Sequence, residues 1–283
     1  MTAPEDSSKP SRRSRGLLDP VLDSSEEGLL GGLSERKGRG AQSLTDDRWA
    51  HRRGEPRIFA LLLSIYLLAA AMLTIFAAPA IGNPSAATFQ AASETLLALV
   101  AIGVVVIWPM TRLSQASPQR PSVAAMADVI IVALLAQAVI WPMTVLPGGA
   151  VINPLPWLGL WPWSVAAGVA LMFVSWSVLI GACMACALAK RAGWGRAGWM
   201  AIILVVGAGA PIAALIAGRF GQALPTWLEL FSLVSAPIVL IQSPSGLTAR
   251  MAPLEWVAAV APAIASAPIW LLARIRARDT ISA

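Results

Sequence analysis

Beyond residue 57 the chain carries only five acidic side chains, Glu94, Asp128, Glu229, Glu255 and Asp279, whereas ten stand before it. Between those sparse charges lie apolar runs near 20 residues long. A helix of about that length crosses about 30 Å of hydrocarbon. Runs of this kind leave few folds open. Lipid offers no hydrogen-bond partner to backbone N–H and C=O groups, so each segment must satisfy its own, as a helix does. The chain therefore reads as an all-α integral membrane protein, a bundle of six transmembrane helices with seven as the competing count. Composition agrees, with 57% hydrophobic and 13% charged residues and a mean hydropathy of +0.69. Soluble domains are about 45–50% apolar and about 25% charged.

The spans are expected near 58–80, 94–113, 123–146, 165–189, 199–218 and 254–273. The stretch 227–241 decides the count. It is short for a span and holds Glu229 and Pro237, which suits a re-entrant or interfacial segment. Charge gives an independent vote. With six spans and both termini inside, all of the 21 Lys and Arg lie on the inner side except Arg219 and Arg250. A seventh crossing would move Arg274, Arg276 and Arg278 outside, directly against the last span, contrary to the positive-inside rule.

Three regions follow. Residues 1–42 form a polar tail, rich in Ser, Gly, Arg and Glu, with too little apolar surface to offset chain entropy; it reads as disordered. Residues 43–57 form a basic interfacial segment, in which Trp49, His51, Arg52, Arg53 and Arg57 precede the first apolar run. Residues 58–283 form the helical transmembrane domain. Ala78-Pro79-Ala80 faintly resembles a cleavage site, but the long apolar core before it reads as an uncleaved signal anchor. The expected compartment is the inner cell membrane, multi-pass, with a cytoplasmic N-terminus.

Trp placement suggests two aromatic belts, with Trp108, Trp194, Trp199 and Trp270 near inner ends and Trp141, Trp157, Trp161, Trp163 and Trp227 near outer ends. One hexapeptide occurs twice, as Val106-Ile107-Trp108-Pro109-Met110-Thr111 and Val139-Ile140-Trp141-Pro142-Met143-Thr144. An inverted repeat would place copies this way. The simpler reading is that Trp marks the headgroup level and Pro stops a helix. The outer loop 147–164 is uncharged and rich in Pro, Gly and Trp, as a segment resting in the interface would be.

Chemistry is scarce. The chain has no phosphate-binding glycine loop, no dinucleotide fingerprint, no HExxH and no G-x-S-x-G, and its single His, His51, precedes the first span. The expectation is a protein that is not an enzyme, with no cofactor and no metal. Nucleic acid is not an expected partner, because the basic residues sit at span ends rather than in a stripe. Cys183 and Cys186 lie in the small-residue run Gly181-Ala182-Cys183-Met184-Ala185-Cys186-Ala187, which reads as a helix-packing face rather than a redox pair.

Intramembrane polar residues are the site candidates, since burying them in lipid is costly. Asp128 and Gln137, nine residues apart, face opposite sides of one helix; Asp128 either caps the helix start or pairs with Arg112 or Arg120. Glu94 is expected at the wet start of the second span. Glu229 and Glu255, near Arg219 and Arg250, are candidates for an outer polar cluster or for plain exposure. Gly207, Gly209 and Pro211 in the fifth span, and Pro262 and Pro268 in the last, predict loosened helices.

Two function classes fit. One is a permease-type transport subunit, which would need a separate ATPase subunit because the chain has no nucleotide site. The other is a non-catalytic membrane scaffold or assembly factor that recruits partners through residues 1–42. Expected partners are the lipid bilayer and either such an ATPase or further copies of the chain.

Overall fold

The computed structural model describes residues 56–76, 86–115, 118, 120–145, 161–189, 193–223, 225–242 and 251–282. The expectations for the tail 1–42, for nearly all of the segment 43–57, for the Ala78-Pro79-Ala80 motif, for most of the loop 147–164 and for Arg250 lie outside the described residues. The helices are α1 (Pro56–Ala71), α2 (Ala86–Ile102), α3 (Trp108–Leu113), α4 (Pro121–Ile140), α5 (Trp163–Leu188), α6 (Gly193–Arg219), α7 (Thr226–Leu230), α8 (Ala236–Gln242) and α9 (Pro253–Ser282). Two-residue strands β1 (Thr144–Val145) and β2 (Trp161–Pro162) pair in parallel, where the chain leaves the third span and enters the fourth. Apart from this ladder the described residues form an all-α bundle.

Six helical stretches are long and apolar enough to cross a membrane: Ile58–Ile75, Gln90–Leu113, Pro121–Ile140, Trp163–Leu188, Gly195–Arg219 and Pro253–Ile275. The first and second contain wide π-helical turns, Met72–Phe76 and Gly103–Ile107. In the second span that turn runs directly into α3. Pro109, which lacks an N–H, sits just beyond it, so the irregular hydrogen-bond ladder coincides with the residue that cannot join a regular one. Tyr66 fastens the first two spans together, its hydroxyl donating to the Leu99 carbonyl at 2.8 Å.

The fourth span is the centre. It packs along its length against α9 and α4, and 20 of its 26 residues are buried. Small side chains make this close contact feasible. A β-carbon at Gly181 would stand 2.1 Å from Cγ2 of Val129 on α4. Cys183 and Cys186 are both buried free thiols, and the Cys186 thiol donates to the Ile269 carbonyl of α9 at 3.6 Å. The run from Gly181 to Ala187 is thus a packing face, as its composition predicts.

The stretch 227–241 does not cross. It forms α7, a turn and α8, too short for a span. Its depth follows from one hydrogen bond: the Ser232 hydroxyl donates to the Gly207 carbonyl at 2.8 Å. Gly207 lies 12 residues before Arg219, the end of α6, so about 18 Å along the axis at about 1.5 Å per residue. From there α8 returns, and the Gln242 amide donates to Glu94 near the start of the second span at 3.2 Å. Leu230, Leu233, Ala236 and Leu240 are all buried in the main core. The element is re-entrant.

Three expectations need correction. The second helix begins at Ala86, two turns earlier than expected, while Glu94 keeps a partly exposed place near the start of the span. Trp108 belongs to no interfacial belt; it is 0% exposed and packs on Phe59, ring centroids 6.3 Å apart. Trp161 is likewise buried, whereas Trp163 and Trp227 are about half exposed, as belt residues should be. The duplicated hexapeptide behaves differently in its two settings. After Trp141-Pro142 the α-helix gives way to a 3-10 turn and a strand, while through Trp108-Pro109 it continues to Leu113. Within that continuation the Thr111 hydroxyl back-bonds to the Ile107 carbonyl at 2.8 Å.

Candidate functional site

The strongest polar feature is an ion pair deep inside the bundle. Arg112 ends the second span, and Asp128 lies two turns into the third. Arg112 Nε donates to Asp128 Oδ2 at 2.5 Å, with the side chains 2% and 1% exposed. Local structure explains the placement. The last turn of a helix favours a cation, and α3 directs Arg112 towards the face of α4 that carries Asp128. Arg112 also donates from Nη1 to the Gln115 side chain at 2.8 Å. The Trp108 indole lies near the same carboxylate without reaching hydrogen-bond geometry, and Asp128 Oδ1 is buried with no protein partner.

Arg196, at the start of α6, joins from a third helix. Its Nη1 donates to the Leu113 carbonyl at 3.1 Å and the Gln115 carbonyl at 3.2 Å. Two guanidinium groups therefore gather about the negative end of the second span. They tie spans two, three and five at one end of the bundle. Charge pairing in a dry setting stabilises little beyond the desolvation it offsets, but removing one partner strands a buried charge. The chemistry available here is a lock between helices.

The other candidates lie elsewhere. Gln137 reaches the fourth span. Its amide donates to the Ala170 carbonyl at 3.0 Å and its oxygen accepts from the Trp141 indole at 2.7 Å, with Trp141 against Trp163 at 5.3 Å between centroids. Glu255 closes the start of α9, its Oε2 accepting the Ala252 N–H at 2.7 Å, which is one half of a capping box. Glu229 is half-buried, and its backbone carbonyl accepts from Ser235 at 2.8 Å. No hydrogen bond or ion pair joins Glu229, Glu255 and Arg219 among the described residues. Nor does any group of three His, Cys, Asp or Glu stand together as metal ligands among them.

Sequence reasoning names Asp128 with Arg112 as one of two pairings, and it misses Arg196 and Ser232. Arg196 carries a usable sign, since a cation at a helix start opposes the dipole unless another element uses it. No protein-family model, curated protein or solved structure matches the chain.

Proposed function

We propose that this chain is a non-catalytic subunit of a membrane assembly, a scaffold or assembly factor of the inner cell membrane with its N-terminus in the cytoplasm. The observation that carries this reading is the filled centre. The most central element of the bundle is a helix with 20 of its 26 residues buried, and Gln137 and Asp128 of the third span are engaged in bonds between helices. A scaffold needs no polar path, whereas a carrier does.

Orientation rests on charge. Arg112 and Arg196 share one end through the Leu113 and Gln115 contacts, and Arg274 lines a common groove with Ser122, which follows Arg120 at the start of the third span. Arg219 ends α6 at the opposite end from Arg196. A basic end of this kind faces the cytoplasm under the positive-inside rule, and six crossings return the chain to the side from which it began.

The second reading, a permease-type transport subunit served by a separate ATPase or by further copies of the chain, draws on different observations. The fifth and sixth spans carry internal prolines, Pro211, Pro262 and Pro268, and a re-entrant element stands between them. Broken helices line substrate paths in many transporters. Deleting residues 1–42 separates the two. Under the scaffold reading the truncated chain inserts normally and loses its partners in mild-detergent purification. An ATPase that co-purifies with and without the tail favours the transport subunit. Cysteines placed at positions 250 and 278 test orientation: thiol reagents that cannot cross the membrane should label the first in intact cells and spare the second.

A further inference from the structure

At the basic end, spans three and six leave a groove open to the lipid side. It has a volume of about 380 Å³ and is lined by Ser122, Val123, Met126, Ala127, Ile130, Trp270 and Arg274. Its floor is apolar: Val123, Met126 and Ile130 are 61%, 42% and 54% exposed, stacked along one face of α4. Its mouth is polar and cationic. Arg274 is exposed there, and Ser122, which lines the same mouth, stands in the first turn of a helix that no side chain caps.

We propose that this groove holds one anionic phospholipid, its phosphate at Arg274 and Ser122 and one acyl chain laid along Val123, Met126 and Ile130 against the Trp270 ring. Three observations favour this occupant. The lining changes from charged to apolar from the mouth inwards, as a phospholipid does from headgroup to tail. The volume stands at the lower end of the range for small-molecule sites, which suits a single chain better than a partner helix. The charge is complementary: Arg274 and Arg120 border this end, Arg276 and Arg278 follow in sequence, and Asp279 is the one acid after Glu255. Basic pockets between helices at the cytoplasmic side are suited to acidic headgroups, and the uncapped start of α4 adds a partial positive charge. Lipid held there would bridge spans three and six.

The test is native mass spectrometry of the full chain released from nanodiscs of equimolar phosphatidylglycerol and phosphatidylcholine. The expected result is a retained phosphatidylglycerol adduct in preference to phosphatidylcholine, with the preference reduced roughly fivefold by Arg274→Gln, about what one arginine near an anionic surface supplies. Met126→Trp, which fills the floor without touching the mouth, should lower retention of both lipids. Arg274 and Met126 are exposed, so neither change should unfold the bundle, and an unaltered melting temperature in detergent checks this. Equal retention of the two lipids by the unaltered chain overturns the proposal, as does a preference that survives Arg274→Gln. So does a rise in lipid retention on deleting residues 1–42, which would make the tail the occupant.

Discussion

The fourth and fifth spans are almost equally apolar, with mean hydropathy of 2.2 and 2.5 over an 18-residue stretch of each, yet 83% of one stretch is buried in protein and 11% of the other. Hydropathy reports that a helix leaves water; it says nothing about whether lipid or protein receives it, because lipid tails are as apolar as leucine. What distinguishes the two is size and shape. The fourth span presents Gly168, Ser175, Ser177, Gly181, Ala182, Cys183, Ala185, Cys186 and Ala187 to its neighbours, all buried. The fifth presents Ile202, Val205, Ile212, Leu215 and Ile216 outwards, each roughly half exposed or more. Where the fifth span does touch the bundle it again uses a glycine: a β-carbon at Gly207 would stand 2.7 Å from Cγ1 of Val105.

The largest way to break this contrast is through the ion pair that fixes α4, whose Val129 seats on Gly181. Asp128→Ala should lower stability by about 3–5 kcal/mol, because Arg112 is left charged and buried. Replacing both residues, Arg112→Met with Asp128→Leu, should recover most of that loss. The measurement is the unfolding midpoint in mixed micelles on titration with a denaturing detergent. A double variant as weak as the single one would mean that the pair does more than neutralise itself.

A smaller effect comes from glycine in matched positions. Gly181→Ala forces a methyl group against Val129 and should cost about 1–3 kcal/mol. Gly209→Ala, with no neighbour nearer than 4.0 Å, should be neutral or gain up to about 1 kcal/mol from helix propensity. Equal behaviour of the two in the same titration would erase the distinction between the spans.

Next stands the link between the re-entrant element and the fifth span. Pro211 has no N–H, so the Gly207 carbonyl four residues earlier loses its helical partner, and the Ser232 hydroxyl takes that place. Ser232→Ala should cost about 1 kcal/mol. In the presence of Pro211→Ala, which restores the backbone donor, the same change should cost less; a double-mutant cycle reads the difference. The smallest effect belongs to Leu215→Ala on the lipid-facing side of α6, expected within about 0.5 kcal/mol.

The outline of the fold is legible in the amino-acid sequence. Six crossings, the short stretch at 227–241 and the packing role of the Cys183 run follow from segment length, charge and side-chain size, which act locally. What the sequence hides is non-local. The two copies of Val-Ile-Trp-Pro-Met-Thr are identical, so nothing within them could announce that one helix continues through Trp108 while the other stops after Ile140. The difference lies in what surrounds them: Phe59 and the core on one side, Trp163 and the β1–β2 ladder on the other. Of the site candidates, the Asp128 pairing is readable as one of two options, because Arg112 and Arg120 both fall near its level. Glu255 caps its own helix start by accepting the Ala252 N–H, a choice made by a backbone group that sequence does not display.

The bond from Ser232 to Gly207 also sets an order of events during synthesis. The fifth span ends at Arg219, 13 residues before Ser232, so the ribosome delivers it first. Throughout that interval the bilayer receives a helix with a gap in its own ladder, and the later hairpin must travel inwards to seal it. Pro211 thus makes the maturity of one helix depend on a segment born after it, and a chain stopped short of residue 232 should carry an open seam.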